Sequence, residues 1–97
     1  MIGTFVTFQY DGDLDAGMVE KIASEVRGMF EGMPGLRSKA FTFDKERKRA
    51  VNFYIWESED PARAFFTDAL RERVTGLYGV APDIEFVEIA ELVDNSR

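Results

Sequence analysis

The order in which two hydrophobic periods follow one another along the chain constrains its fold more than any other feature. Four segments are rich in β-branched and aromatic residues or alternate apolar with polar ones, which is typical of strands: residues 1–10, 36–44, 49–57 and 83–93. Two further segments place apolar residues three and four positions apart, which is typical of amphipathic helices: residues 14–31 and 60–77. The predicted element order is therefore β-α-β-β-α-β.

Local signals at the starts of the two periodic segments support helices there. Either Asp13 or Asp15 can cap the first helix. The second helix is predicted to start with Asp60 as the capping residue and Pro61 in the first turn. Its apolar stripe continues to Leu77, so we expect one continuous helix in each segment.

This element order is that of the ferredoxin-like split βαβ arrangement, an α+β fold. In it, two helices pack on one face of a four-stranded antiparallel sheet. The chain has 97 residues and no stretch that resembles a linker, and this length suits one domain. We therefore predict a single ferredoxin-like domain over residues 1–97.

The face of the sheet that the helices leave free is expected to be apolar as well. The third strand divides its side chains between two faces: Val51, Phe53 and Ile55 on one, and Asn52, Tyr54 and Trp56 on the other. A sheet with one wet face should alternate cleanly between apolar and polar residues, and a large exposed apolar patch normally marks an interface. We therefore expect a second copy of the chain to cover this face in a two-fold homodimer. The alternative is a monomer with an apolar outer face.

Composition excludes several classes of function. The chain contains no cysteine and no histidine, so it offers neither a thiolate nucleophile nor a histidine-ligated metal or haem. Its 18 acidic and 12 basic residues give a formal net charge of −6, which argues against nucleic acid and anionic membrane surfaces as partners. The N-terminal segment lacks the features of a signal peptide, and the apolar runs fall short of the ~20 residues that a membrane span needs. We therefore expect a cytoplasmic protein.

A short motif at the end of the third strand carries a resemblance to a known family. The segment Asn52-Phe-Tyr-Ile-Trp56-Glu57-Ser58 stands just before the second helix. Together with the element order, it resembles the dimeric α/β-barrel superfamily, and within it the antibiotic-biosynthesis monooxygenase branch that includes the YdhR-like monooxygenases. The resemblance implies a pocket between sheet and helices that Asn52 and Trp56 line. It also implies a cofactor-independent oxidation of phenolic or anthrone-like polyketides by molecular oxygen.

Related members of that superfamily degrade haem, with a histidine on the helix that follows the tryptophan. The corresponding position in this chain holds Phe65, and the chain has no histidine anywhere. We therefore do not expect haem degradation of that kind, and we predict neither a metal nor an organic cofactor.

The positions of Asn52 and Trp56 on the strand also suggest chemistry directly. Asparagine is depleted in strand interiors, and a buried amide without partners is costly. The Asn52 amide can donate to a phenolate or enolate oxygen as charge develops there, and Trp56 can offer a flat wall and an indole N–H. Further candidates for binding the substrate are three tyrosines and two cations: Tyr54, Tyr10, Tyr78, Arg37 and Lys39. The alternative for Trp56 and the tyrosines is plain packing, and for Asn52 a bond to a neighbouring side chain or a buried water.

Three hypotheses for the function follow. The first is a cofactor-free monooxygenase that acts on a small aromatic or polyketide-like substrate, because such a substrate supplies its own reactivity once it is deprotonated. No side chain of the sequence stands out as the general base. The second is an isomerase or cyclase of the same superfamily, since the fold alone does not separate these chemistries. The third is a non-catalytic dimer that binds a small molecule.

Overall fold

The computed structural model describes residues 1–95. The strands are β1 (Ile2–Gln9), β2 (Leu36–Asp44), β3 (Arg49–Trp56) and β4 (Asp83–Glu88), and the helices are α1 (Ala16–Phe30), α2 (Glu59–Phe65) and α3 (Asp68–Tyr78). Within this range, no helix combines the length and the apolar character that crossing a membrane requires.

The strands form one antiparallel sheet in the order β2-β3-β1-β4. Strand β1 lies inside the sheet, where it pairs with β3 through Phe5 opposite Phe53 and with β4 on its other side. Strand β2 completes the sheet, with Phe41 opposite Asn52 of β3. The helices lie on one face, so the predicted ferredoxin-like arrangement is confirmed.

Helix α1 starts at a capping residue that the sequence predicts, whereas α2 does not. Asp15 caps α1, because its side chain accepts a hydrogen bond from the Met18 backbone N–H at 3.1 Å. Helix α2 starts earlier than predicted, and Ser58 rather than Asp60 occupies its cap position, without a side-chain capping bond. Asp60 lies in the first turn, where its charge complements the helix dipole.

The second helical region forms two helices rather than one continuous helix to Leu77. The backbone leaves helical geometry at Phe66, which has a ψ of 71°. The Thr67 side chain then accepts a hydrogen bond from the Leu70 backbone N–H at 3.1 Å and caps the start of α3. The helical layer therefore consists of α1 and a broken second segment.

Strand β4 ends at Glu88 instead of continuing to residue 93. It pairs with β1, and their ladder ends with Ile2 opposite Glu88. One further hydrogen bond runs from the Ile89 backbone N–H to the Met1 carbonyl at 3.0 Å. Residues 89–93 are mostly apolar and extend past the end of this ladder, and an apolar segment without a paired neighbour does not make a strand.

Alternation along the central strands separates a buried, helix-facing side from an outer side. In β3, Asn52, Tyr54 and Trp56 face the helices and are at most 3 % exposed. The outer side carries Phe5 and Phe53, whose ring centroids lie 4.7 Å apart. Phe5 is 37 % exposed, so the outer face is apolar and partly open to solvent.

Candidate functional site

A cavity lies between the helix-facing side of the sheet and the helices. Much of its wall is apolar and comes from both layers: Val6, Ile22, Val26, Phe65, Phe66 and Val74. Polar and charged side chains also border it: Lys39, Asn52, Tyr54, Arg73 and Tyr78. The volume of the cavity is about 90 Å³. No aspartate or glutamate of residues 1–95 lines the cavity.

Asn52 places a buried amide on the sheet side of the cavity. It lies in the middle of β3, between Val6 of β1 and Phe41 of β2, and is only 2 % exposed. Its Nδ2 donates a hydrogen bond to the Tyr78 hydroxyl at 3.2 Å, whereas its Oδ1 has no partner in the described chain. An unsatisfied buried acceptor costs about 1–3 kcal/mol. Packing alone does not account for an amide here, and the amide offers hydrogen-bonding capacity to a ligand.

Tyr78 ends α3 and contacts the Asn52 amide from the helix side. Its ring stacks on Phe8, with centroids 3.8 Å apart and planes 5° apart. The Tyr10 hydroxyl donates a hydrogen bond to the Tyr78 backbone carbonyl at 2.7 Å. Burial raises the pKa of both tyrosines, and the hydrogen bond from Asn52 opposes this rise for Tyr78. The structure thus places Tyr78 at the cavity and Tyr10 outside it, as a support for the end of α3.

Lys39 and Tyr54 form the second polar contact at the cavity. They are opposite each other in the β2–β3 ladder, and Lys39 Nζ donates a hydrogen bond to the Tyr54 hydroxyl at 2.8 Å. Nζ also lies 3.5 Å from the ring centroid of Phe30 and 4.1 Å from that of Phe41. No ion pair to Lys39 is present in residues 1–95. Burial lowers the pKa of Lys39 to about 7 and raises the pKa of Tyr54.

Trp56 lies on the same face as Asn52 but beyond the border of the cavity. It is 1 % exposed, and its ring is parallel to that of Tyr54, with centroids 5.7 Å apart. It also packs against Phe65 and Phe66, at 5.5 and 6.1 Å. Its Nε1 has no hydrogen-bond partner in the described chain. In this structure Trp56 therefore supports the Tyr54 ring rather than forming a wall of the cavity.

Arg37 and Lys39, which the sequence suggested together as cations for an anionic ligand, lie in different places. Arg37 is exposed, at an irregularity in the β2–β3 pairing between Leu36 and Ser38. Its Nη1 contacts Met1 Sδ at 3.7 Å. Only Lys39 of this pair borders the cavity.

Arg73 borders the cavity although it was not among the residues predicted for the site. It lies on α3 three residues after Leu70 and four before Leu77, and both leucines also border the cavity. The available signal was this position of an arginine inside the apolar stripe of a helix. Residues 1–95 contain no group of three or more acidic, histidine or cysteine side chains that could hold a metal ion.

Two solved structures share the fold of the chain over nearly its whole length. One is a monooxygenase from the gene ActVA-Orf6 of Streptomyces coelicolor in complex with nanaomycin D, with 24 % identity, a TM-score of 0.64, and coverage of 98 % of this chain and 92 % of that one. The other is SnoaB, a cofactor-independent oxygenase from Streptomyces nogalater, in an asparagine-to-alanine variant, with 14 % identity, a TM-score of 0.67 and coverage of 95 % of each chain. No model of a known protein family matches the chain, and no curated protein matches it. The likeness shows that the chain shares the fold of these two proteins.

Proposed function

We propose that this protein is a cofactor-independent monooxygenase that oxidises a small aromatic or polyketide-like substrate with molecular oxygen. The observation that carries the proposal is the Asn52 amide, buried at a largely apolar cavity, with its Oδ1 unpartnered within residues 1–95 and its Nδ2 3.2 Å from the Tyr78 hydroxyl. Lys39 and Arg73 border the same cavity, and no carboxylate of residues 1–95 does. Such a cavity favours an aromatic ligand that becomes an anion during the reaction.

In this reaction the substrate supplies the electrons. A phenol or anthrone loses a proton to become an anion, and the Asn52 Nδ2 and the Tyr78 hydroxyl donate hydrogen bonds to its negative oxygen. The anion passes one electron to oxygen, which is reduced to superoxide, and the two radicals combine into a peroxide anion, which takes back the proton to become a hydroperoxide. Loss of water from the hydroperoxide leaves a new carbonyl group. Anthrone and one O₂ thus give anthraquinone and one water.

The apolar part of the cavity wall assists this reaction in two ways. It excludes water, which strengthens the hydrogen bonds to the anion and protects the radical pair from side reactions. It also presents aromatic rings to a planar substrate, among them Phe30, Tyr54 and Phe65. Trp56 acts indirectly in this proposal, because its ring packs against Tyr54.

The two solved structures with the same fold support the reaction class. One is a monooxygenase bound to nanaomycin D, and the other is a cofactor-independent oxygenase. Their likeness to this chain lies in the fold, so the substrate class of our proposal depends on the cavity of this chain.

Oxygen uptake with anthrone as the substrate tests the proposal. We expect the wild type to consume one O₂ per anthraquinone formed. Replacing Asn52 with alanine should lower kcat by about 100-fold, because loss of one hydrogen-bond donor to a developing oxyanion has an effect of this size. Asn95→Ala, at an exposed position outside the cavity, is the matched control and should retain the wild-type rate. An unchanged rate in a folded Asn52→Ala variant would remove the proposed role of the amide.

An isomerase or cyclase remains the alternative enzyme, and the Lys39 contact with Tyr54 favours it as a second candidate. An amine whose pKa is lowered to about 7 by burial can both accept and return a proton at neutral pH, as isomerisation requires. The two reactions differ in their need for oxygen. Turnover of a muconolactone-type substrate under anaerobic conditions favours the isomerase, and binding without turnover of either substrate favours the non-catalytic protein.

We further propose that the protein acts as a two-fold homodimer through the outer face of its sheet. That face carries Phe5, which is 37 % exposed, in contact with the partly exposed Phe53. Val51, Ile55 and Val87 extend the apolar surface on the same side. Apolar side chains on the side opposite the helices fit a self-complementary interface.

A further inference from the structure

Lys39 occupies an unusual environment for a lysine. Its Nζ borders the cavity and lies 2.8 Å from the Tyr54 hydroxyl, 3.5 Å from the Phe30 ring centroid and 4.1 Å from the Phe41 ring centroid. Buried lysine side chains are normally paired with a carboxylate, yet no ion pair to Lys39 is present in residues 1–95. The hydroxyl and the aromatic rings therefore hold the amine in place, and no carboxylate of the described residues neutralises its charge.

Charged and titratable groups from each neighbouring element bear on the protonation of Lys39. Tyr54 of β3 contacts it directly, and Arg73 of α3 borders the same cavity. Arg27 and Glu31 of the α1 end border the shallower groove that Lys39 also lines, but they form an ion pair with each other at 3.4 Å. Burial lowers the pKa of Lys39 to about 7, and the ring faces counteract this by attracting the ammonium form. Both protonation states are therefore populated near neutral pH.

We propose that the Lys39 amine is the general base of the reaction, and that it removes a proton from the hydroxyl or the acidic C–H group of a phenolic or anthrone-type substrate in the cavity. In this step the substrate's O–H or C–H bond breaks, its electron pair stays on the substrate, and a new N–H bond turns the amine into an ammonium. The step consumes no oxidant. The ammonium then pairs with the substrate anion until oxygen has added to it, and it returns the proton to the peroxide anion, which becomes the hydroperoxide and leaves the amine neutral.

Tyr54 orients the base in this arrangement. Its hydroxyl lies opposite Lys39 across the β2–β3 ladder and holds Nζ at 2.8 Å. Burial raises the pKa of Tyr54, so the phenol stays neutral and does not compete with the amine for the proton of the substrate. Lys39 thereby supplies a proton acceptor in a cavity that no carboxylate of residues 1–95 lines, in a chain without histidine.

The pH dependence of anthrone oxidation tests this inference, which rests on the proposed function for its oxygen step. If the neutral amine is the base, kcat/KM of the wild type falls as the pH drops below about 7. If the ammonium instead serves only as a charge, kcat/KM falls as the pH rises above about 7, which would overturn the proposal. The uncatalysed oxidation of anthrone over the same pH range separates ionisation of the substrate from that of the protein.

Two substitutions at Lys39 distinguish a base from a fixed charge. Lys39→Met removes the amine, and Lys39→Arg retains the charge but cannot lose its proton. We expect kcat/KM of both variants to be about 100-fold lower than that of the wild type at about pH 8. We also expect both variants to lack the fall in kcat/KM below about pH 7. Lys21→Met, at an exposed position on α1, should keep the wild-type profile. A Lys39→Arg variant with the wild-type rate would overturn the proposal, and so would a Lys39→Met variant whose kcat/KM still falls below about pH 7.

An anaerobic titration separates failure of this inference from failure of the proposed function. Dihydroxyanthrone changes its absorption when it ionises, so its protonation can be followed on the protein without oxygen. We expect its apparent pKa to be at least about one unit lower on the wild type than on Lys39→Met. This shift without oxygen uptake would contradict the monooxygenase and support Lys39 as the proton acceptor. A different result would contradict only the role of Lys39: oxygen uptake that depends on Asn52, an unshifted pKa of the dihydroxyanthrone, and an unchanged rate of oxygen uptake in Lys39→Met.

Discussion

At the scale of single residues, the contact between Lys39 and Tyr54 sets the electrostatic character of the cavity. The amine lies 2.8 Å from a phenol and over aromatic rings, and no ion pair to it is present in residues 1–95. Burial penalises the ammonium form, and this penalty is present only in the folded protein. It therefore affects the stability of the protein as well as any reaction in the cavity.

We expect the wild type to gain stability relative to Lys39→Met as the pH rises from about 7 to about 9.5. Burial lowers the pKa of Lys39 to about 7 in the folded protein, whereas an unfolded lysine keeps a value of about 10.4. Between these values the unfolded state binds more protons, so the free energy of unfolding increases with pH, by at most about 1.4 kcal/mol per pH unit. Urea denaturation at several pH values measures the slope. Equal slopes in the wild type, Lys39→Met and the control Lys21→Met would contradict the environment assigned to Lys39.

The residues of the site differ in how far their sequence alone could place them. Strand alternation assigns Asn52, Tyr54 and Trp56 to one face, because that relation is local. It does not say how far along the strand the cavity extends, so the position of Trp56 past the cavity border could not be predicted. The contacts of Lys39 with Tyr54 and of Asn52 with Tyr78 depend on strand register and helix packing, which are properties of the tertiary structure.

At the scale of secondary structure elements, the break between α2 and α3 shapes one wall of the cavity. Consecutive residues of an uninterrupted helix point about 100° apart, so two adjacent side chains do not face the sheet equally. At the break, however, Phe65 and Phe66 both pack against Tyr54, with ring centroids at 5.8 and 5.1 Å. The Thr67 cap keeps the break in place, since it satisfies a backbone N–H at the start of α3.

We expect Thr67→Ala to destabilise the protein by about 1 kcal/mol, because it removes the side-chain cap of α3. Thr75→Ala is the matched control within the same helix. The Thr75 hydroxyl bonds to the Arg71 carbonyl one turn earlier, and alanine has the higher helix propensity there, so this change should cost little or stabilise. Urea denaturation followed by circular dichroism measures both effects. If Thr67→Ala costs no more than Thr75→Ala, the cap does not hold the break.

The same break explains why the helical region was predicted less accurately than the strands. The apolar stripe keeps its spacing across Phe66, so periodicity alone predicts one helix to Leu77. The competing signal was a threonine followed by an aspartate at Thr67 and Asp68, which is typical of a helix start. The end of β4 was missed for a different reason: apolar residues continue to Val93, but the β1–β4 ladder ends with Ile2 opposite Glu88.

At the scale of the whole molecule, the charge of the surface and that of the cavity are opposite. The chain has a formal net charge of −6, whereas Lys39 and Arg73 border the cavity without a carboxylate from the described residues. A negative surface disfavours the approach of an anion, whereas the two cations at the cavity would favour one there. A neutral phenol or anthrone that enters and then loses its proton satisfies both conditions. This distribution of charge thus favours an anion that forms inside the protein over one that is captured from solution.

The outer face of the sheet makes a prediction about the molecule in solution, where we expect the wild type to sediment at twice the 11.0 kDa of one chain. Phe5→Lys places a charge in the centre of the proposed interface, where its desolvation would oppose association, so this variant should sediment as a monomer. Phe43→Lys is a close control, because Phe43 is 39 % exposed against 37 % for Phe5 but lies on the helix-facing side of β2. It should remain a dimer. Since both changes add one positive charge at a similarly exposed phenylalanine, a difference between them assigns the interface to one face. A monomeric wild type, or a dimer that only Phe43→Lys disrupts, would contradict the proposed interface.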